Sequence, residues 1–229
     1  MRLTETGKLD TTFNRSGYAE VCYMGQDVYP SSLSIIKGER IVVSAFTIEE
    51  STHYGLLVGY NLDGTLDESF ADKGYALLGA PTYKRSEVWD LQQTQGGLLL
   101  AIGRGISEES HRGGFLTRLH ENGRADPTFN LGKPIFTPAG LLDELMAGAV
   151  QADGKIILAG SKFHETGGAL VRYDPDGSPD ISFGNAGITH FPSVGDARLV
   201  KLQQDGLILA GGAVSPDGSR VAAVLRYHP

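Results

Sequence analysis

Three stretches combine histidine with carboxylates: Glu49, Glu50 and His53; Glu108, Glu109 and His111; His164 and Glu165. Such residues bind metal ions or change charge near neutral pH. Each set alone has too few ligands. Sets carried by separate strand units, with strands ~4.8 Å apart, cannot share one ion. Solvated polar loops are therefore expected, with no metal site. The acidic turns NLDGTLD (61–67) and DPDGSPD (174–180) resemble calcium loops, which need six or more oxygens, but the late bidentate acid is missing. Their counterparts TETGKLD and HENGRAD lose acidic groups, so the shared role is a turn in which Asp and Asn bond their own backbone. Glu20, Lys133 and His190 would approach a central channel if the segments carrying them were innermost strands. Glu and His can then exchange protons, yet these three come from separate segments with no local motif.

No G-x-S-x-G, H-E-x-x-H, Walker or dinucleotide pattern occurs. GRGISEESHRGG is glycine-rich but lacks the Lys-Ser/Thr of a phosphate cradle. No catalytic residue and no cofactor is expected. Cys22 is the single cysteine, which excludes a disulfide framework and a Cys-rich zinc motif. With no partner base, it reads as a buried structural thiol.

Positioning any of these groups requires a scaffold, and composition says which kind. The 229 residues include 31 glycines, 41% hydrophobic and 21% charged residues, enough for a core and many turns. A net charge of −7 without a basic cluster argues against nucleic acid, because phosphate neutralisation needs grouped Lys and Arg. No apolar run reaches the ~18 residues of a membrane helix, and no secretory signal is visible at the N-terminus. A soluble chain without membrane insertion is expected. Cytoplasmic residence is the default, with a cell-surface or secreted location if a signal or larger chain has been removed.

Internal repetition decides the architecture. GKLDTTFNRSGY from Gly7, GTLDESFADKGY from Gly64, GRADPTFNLGK from Gly123 and GSPDISFGNAGI from Gly177 align, each with Asp three residues after Gly and Phe three after Asp. The aspartates, Asp10, Asp67, Asp126 and Asp180, are 57, 59 and 54 residues apart. Between boxes lie a hairpin with a Lys-Gly, Gly-Gly or Asp-Gly turn, an apolar run, and a further apolar segment after each Phe. Glycine supplies the positive φ such turns need. Four short strands per period of about 57 residues suit a propeller blade. Only AGLLDELMAG from Ala139 leans helical, and it reads as a loop with one turn. The box Phe13, Phe70, Phe129 and Phe183 are expected as plugs between repeats, and Arg118, Arg172 and Arg226, at one repeat position, as partners of carboxylates.

The box L-D-x-x-F-x-x-x-G, followed by DGKIILAG and VRYDPDG, resembles the delta-60 repeat family of bacterial β-propeller-like proteins. The first repeat departs most, with Lys37-Gly38 in its hairpin and Gly59 where others carry Arg. The resemblance implies an all-β fold, a four-bladed propeller or propeller arc with four antiparallel strands per blade, and no particular activity. The chain is then one repeat domain, with repeats at 7–63, 64–122, 123–176 and 177–229.

From Asp180 to the end are 49 residues and Asp10 adds 10, giving 59, so four repeats suffice to close. Yet RLTETG from Arg2 already matches RLHENG from Arg118, and the chain ends on RYHP. One copy is redundant in a simple ring. The alternative is an arc completed by a homodimer into a ring of eight. Hairpins and boxes occupy one face of such a fold, leaving the loops that differ between repeats on the other, where recognition is expected. Tyr29, Tyr83, Lys84, Arg85, Arg104 and Arg112 are the candidate ligand contacts there, since aromatic and Arg side chains give area and directional bonds. A non-catalytic binding or scaffolding module for a protein or peptide partner is expected. Two further readings stay open, a glycan-binding module using Tyr29, Tyr83 and Trp89 and an enzyme at the channel.

Overall fold

The computed structural model describes residues 1–50, 52–78, 83–162, 167–191, 194–215 and 217–229. All regular structure apart from two single 3-10 turns is strand, in four antiparallel sheets that follow one another along the chain. The first contains β1 (Val28–Ile36), β2 (Arg40–Glu49), β3 (Thr52–Asn61) and β4 (Tyr75–Leu78), in that order. The second holds β5 (Tyr83–Gln93), β6 (Leu99–Ser107), β7 (Arg112–Leu119) and β8 (Ile135–Phe136). The third holds β9 (Glu144–Val150), β10 (Ile156–Ser161), β11 (Gly168–Tyr173) and β12 (Ile188–His190). The fourth has three strands, β13 (Val194–Leu202), β14 (Ile208–Ser215) and β15 (Val221–Tyr227). The segment from Ala139 makes one turn and then enters β9 at Glu144.

Strand alternation gives each central sheet two apolar faces. Ile36, Val42 and Leu57 of the first sheet pack with Val88, Leu91 and Leu99 of the second. The opposite face of the second sheet, with Leu100, Ile102 and Leu116, meets Leu145, Ile156 and Leu158 of the third. Ala147, Ile157 and Ala159 then face Ala197, Val200 and Ile208. The first strands β1, β5, β9 and β13 pack against their neighbours' first strands. They form the inner edge of the row.

The strand after each box is not innermost. β4, β8 and β12 pair with β3, β7 and β11, so they close the far edge of the preceding sheet. The box causes this by folding the chain back on itself, with Asp67, Asp126 and Asp180 amides donating to Gly59, Arg118 and Arg172 carbonyls. Glu20, Lys133 and His190 are therefore exposed on or beside outer edges and do not line a channel. Cys22 is also exposed: along residues 18–23, Ala19, Val21 and Tyr23 turn towards the first sheet and Tyr18, Glu20 and Cys22 turn away.

Each box is built around one ion pair. Arg2 Nε meets Asp10 at 2.7 Å, Arg118 meets Asp126 at 2.7 Å and Arg172 meets Asp180 at 2.6 Å. The guanidinium stacks on the Phe three residues after the acid, with centroid distances of 5.1, 4.7 and 4.6 Å, a cation–π contact. The second carboxylate oxygen accepts the amide and hydroxyl of Thr12, Thr128 or Ser182. In the box lacking this arginine, Arg40 of β2 reaches Asp67 at 2.5 Å and stacks over Phe70 at 5.6 Å. Gly59 makes room for it, since a Cβ there would lie 2.6 Å from Phe70.

The second and third boxes also join neighbouring sheets, and the first ties the segment ahead of β1 to the first sheet. The residue after the Phe is left-handed in all four, at Asn14, Ala71, Asn130 and Gly184. The amides of the first three donate to Asp63, Asn122 and Asp176 carbonyls in the following repeat's turn, at 2.6, 2.7 and 2.9 Å. The next turn glycine lies on each Phe, Gly64 on Phe13, Gly123 on Phe70 and Gly177 on Phe129, leaving no room for a Cβ.

Arg40→Ala strands a largely buried Asp67 and should cost about 3 kcal/mol in urea denaturation; a loss below ~1 kcal/mol would mean that Gly59 needs no substitute arginine. Burial raises the Asp67 and Asp126 carboxyls, but hydroxyl, amide and guanidinium bonds outweigh it and hold both below 3.8. At Asp180, Lys155 and Ser182 drive the same lowering. Folded pKa values below the unfolded value give stability that is complete above the ordinary carboxylate range and lost as pH falls below 3.8. The melting temperature should drop steeply from pH 4 towards 2, and Asp126→Asn should flatten that drop; a wild-type curve flat in this window contradicts the pairing.

Candidate functional site

Every inner strand is bulged at one shared place, at Ser31 in β1, Trp89 in β5, Met146 in β9 and Arg198 in β13, and β5 has a second bulge at Lys84. A bulge adds a residue to one strand of a pair and re-aims the side chains beside it. Each stands four or five residues before the hairpin end of its strand, and away from the hairpin the strand runs on to the face opposite the boxes. At that end the sheets present charge.

Glu87, 2% exposed, is the hub. One oxygen takes Arg85 Nη2 at 2.6 Å and lies 2.6 Å from His53 Nδ1 of the first sheet. The other takes Arg104 Nε at 2.7 Å. Burial alone would raise this carboxyl, but the two guanidiniums outweigh it and hold it low. Arg104 lies 4.8 Å over the Trp89 ring and 4.0 Å from Glu144 at the start of β9. Burial pushes Glu144 up, partly countered by Arg104 and Arg198. On the fourth sheet, Asp196 binds Arg198 at 2.8 Å, the Ala213 amide at 2.9 Å, and Arg220. Charged side chains thus run across the second, third and fourth sheets, with His53 of the first sheet at their edge. Beside it His53 stacks on Phe46 at 5.3 Å, and Phe46 on Tyr29 at 5.0 Å.

The six candidate contacts are in strands rather than loops: Tyr29 in β1, Tyr83, Lys84 and Arg85 in β5, Arg104 in β6 and Arg112 at the start of β7. Arg85, Arg104 and Arg112 converge on one cleft with Gly105, Ile106 and Asp143. Arg112 is exposed and makes no side-chain bond among the described residues. Lys84 lies apart, donating to Ser110 Oγ. Tyr29 belongs to the neighbouring aromatic stack, and the Tyr83 side chain lies outside the described residues.

The histidine and carboxylate groups separate. His53 joins Glu87, not Glu49 or Glu50. Exposed His111 is 3.7 Å from Glu109 and shares a second cleft with Glu108, Lys133 and Phe136. His164 and Glu165 lie outside the described residues. Among the described residues no three His, Cys, Asp or Glu side chains are grouped to hold a metal. Glu87 and the bulges escape a reading of the sequence because no motif marks them; the signal available was Glu87 standing between Arg85 and Trp89.

A family model described as a domain of unknown function (DUF5122) β-propeller matches residues 151–183. The match runs from the β9–β10 turn to Phe183 and so covers one hairpin strand, β11 and one box. No curated protein matches the chain.

Glu87→Gln removes the countercharge of Arg85 and Arg104, and should cost about 3 kcal/mol in chemical denaturation. An unchanged midpoint would show that the hub adds nothing to the join between sheets.

Proposed function

We propose that this chain is a non-catalytic recognition module that binds a protein or peptide on the face opposite its boxes. In this reading the sheets are the four blades of a propeller or propeller arc, and the repeats are of the delta-60 type. The four successive antiparallel sheets and the β-propeller family match over one repeat segment support that architecture. The observation carrying the function is the convergence of Arg85, Arg104 and Arg112 on one cleft. Glu87 occupies Arg85 and Arg104 from beneath, which fixes their direction, while Arg112 stands at the rim. Guanidiniums held by buried carboxylates suit a carboxylate-bearing peptide, because directional charge-assisted bonds form without further ordering.

A glycan is the second reading. Tyr29, Phe46 and His53 form a stacked row beside the Glu87 hub, and ring faces next to charged groups suit sugar. An enzyme at the channel finds no support in Glu20, Lys133 and His190, which stand on separate outer edges.

Selection of displayed random peptides on the immobilised protein tests the proposal. Peptides rich in Asp and Glu should be enriched, and Arg112→Glu should weaken them at least ~10-fold, as expected for loss of a charge-assisted bond. Enrichment indifferent to acidic residues and to this substitution contradicts it. Capture of glycans, abolished by Tyr29→Ala and not by Arg112→Glu, would favour the second reading.

A further inference from the structure

We propose that a second copy of this chain docks head to tail on the fourth sheet, so that two rows of four sheets join into one ring of eight. Within one chain a box Phe with its following amide meets the next turn at three joints: Phe70 and Ala71 with Asn122 and Gly123 link the first sheet to the second, Phe129 and Asn130 with Asp176 and Gly177 link the second to the third, and Phe13 and Asn14 with Asp63 and Gly64 link the box ahead of β1 to the first sheet. Two halves remain. Phe183 and Gly184 have no following turn bonded to them among the described residues, and nothing lies within 4 Å of a Cβ built at Gly7, the first turn glycine. The halves are complementary: Phe183, in the box between β11 and β12, packs against the fourth sheet and lacks a turn after β15, and Gly7 carries such a turn ahead of the first sheet.

The strands give the same answer independently. β4, β8 and β12, each following a box, close the edges of β3, β7 and β11. Among the described residues, 18–23 follow a box but belong to no strand, and β15 has no strand beyond it. In the register of Tyr75 opposite Val58 and Ile188 opposite Val171, Tyr18 of the second copy falls opposite Leu225 and Ala19 opposite Val224. The faces to be covered are apolar at both ends. Leu199 and Val224 are 63% and 75% exposed on the fourth sheet, and Leu33 and Ile35 are 64% and 56% exposed on the first. Exposed sheet faces and edges of this kind favour association.

Docking sets residues 2–5 of one copy against residues 226–229 of the second copy for a single place, since both segments begin with the repeat's arginine. Arg2 already holds Asp10, whereas Arg226 makes no side-chain bond among the described residues. Residues 226–229 are the ones that yield. The proposal uses the sheet ends and not the loop-face cleft, so it fails or stands separately from the function above.

Light scattering on the 229-residue chain over a wide range of concentration should give twice the chain mass. Val224→Lys and Leu33→Glu alter exposed residues at opposite ends, so both variants should fold, as checked by their melting curves. Each alone should shift to single-chain mass. Mixing them should restore the two-chain species, because each keeps the end that the other has lost and Lys meets Glu at the second joint. A single-chain mass for the unaltered protein, a pair that survives both substitutions, or an open-ended series of masses would overturn the proposal.

Discussion

A buried carboxylate is tolerable only when its lone pairs are occupied, and buried Asp67, Asp126 and Asp180 share with the half-buried Asp10 one pattern of partners, to which Lys155 adds at Asp180. One oxygen takes an arginine, the other a hydroxyl and an amide two residues on. The ion pair fixes the guanidinium over the box phenylalanine, and the phenylalanine fills the gap between sheets under the next turn. Local turn, buried charge and inter-sheet packing are therefore one unit. The second box shows how strongly that unit is required: its own strand offers glycine, and Arg40 arrives from the neighbouring strand to the same carboxylate and the same ring face.

The opposite face is ordered by different means. There charged side chains bridge the sheets around Glu87 in place of a repeated box. One end of the fold is thus stereotyped and the other particular to each repeat. Boxes that are uniform leave the far ends of the strands free to diverge, which is where Arg85, Arg104 and Arg112 come together.

Much of the fold was legible in the sequence because the box repeats with its turn glycine, and glycine, aspartate and phenylalanine each have one physical task in it. The strand content followed from the alternation between boxes. The place of the post-box strand was not legible. Alternation in residues 18–23 or 75–78 shows which side is buried, and says nothing about which edge of which sheet the strand joins. With that strand at an outer edge, the condition under which Glu20, Lys133 and His190 would approach a channel is not met, and Cys22, read as buried for want of a partner base, is exposed. Residue type alone suggested the arginine trio, but not Glu87, whose role depends on His53 arriving from another sheet.

Amide hydrogen exchange at the residues following the box phenylalanines tests most directly whether the boxes lock sheet to sheet. In turns of a freestanding hairpin these amides would exchange quickly. The account predicts that Asn14, Ala71 and Asn130, bonded to the next repeat's turn, are protected to the level of the central strands β2, β6 and β10. Exchange of all three as fast as the exposed hairpin amide of Gly38 would contradict it.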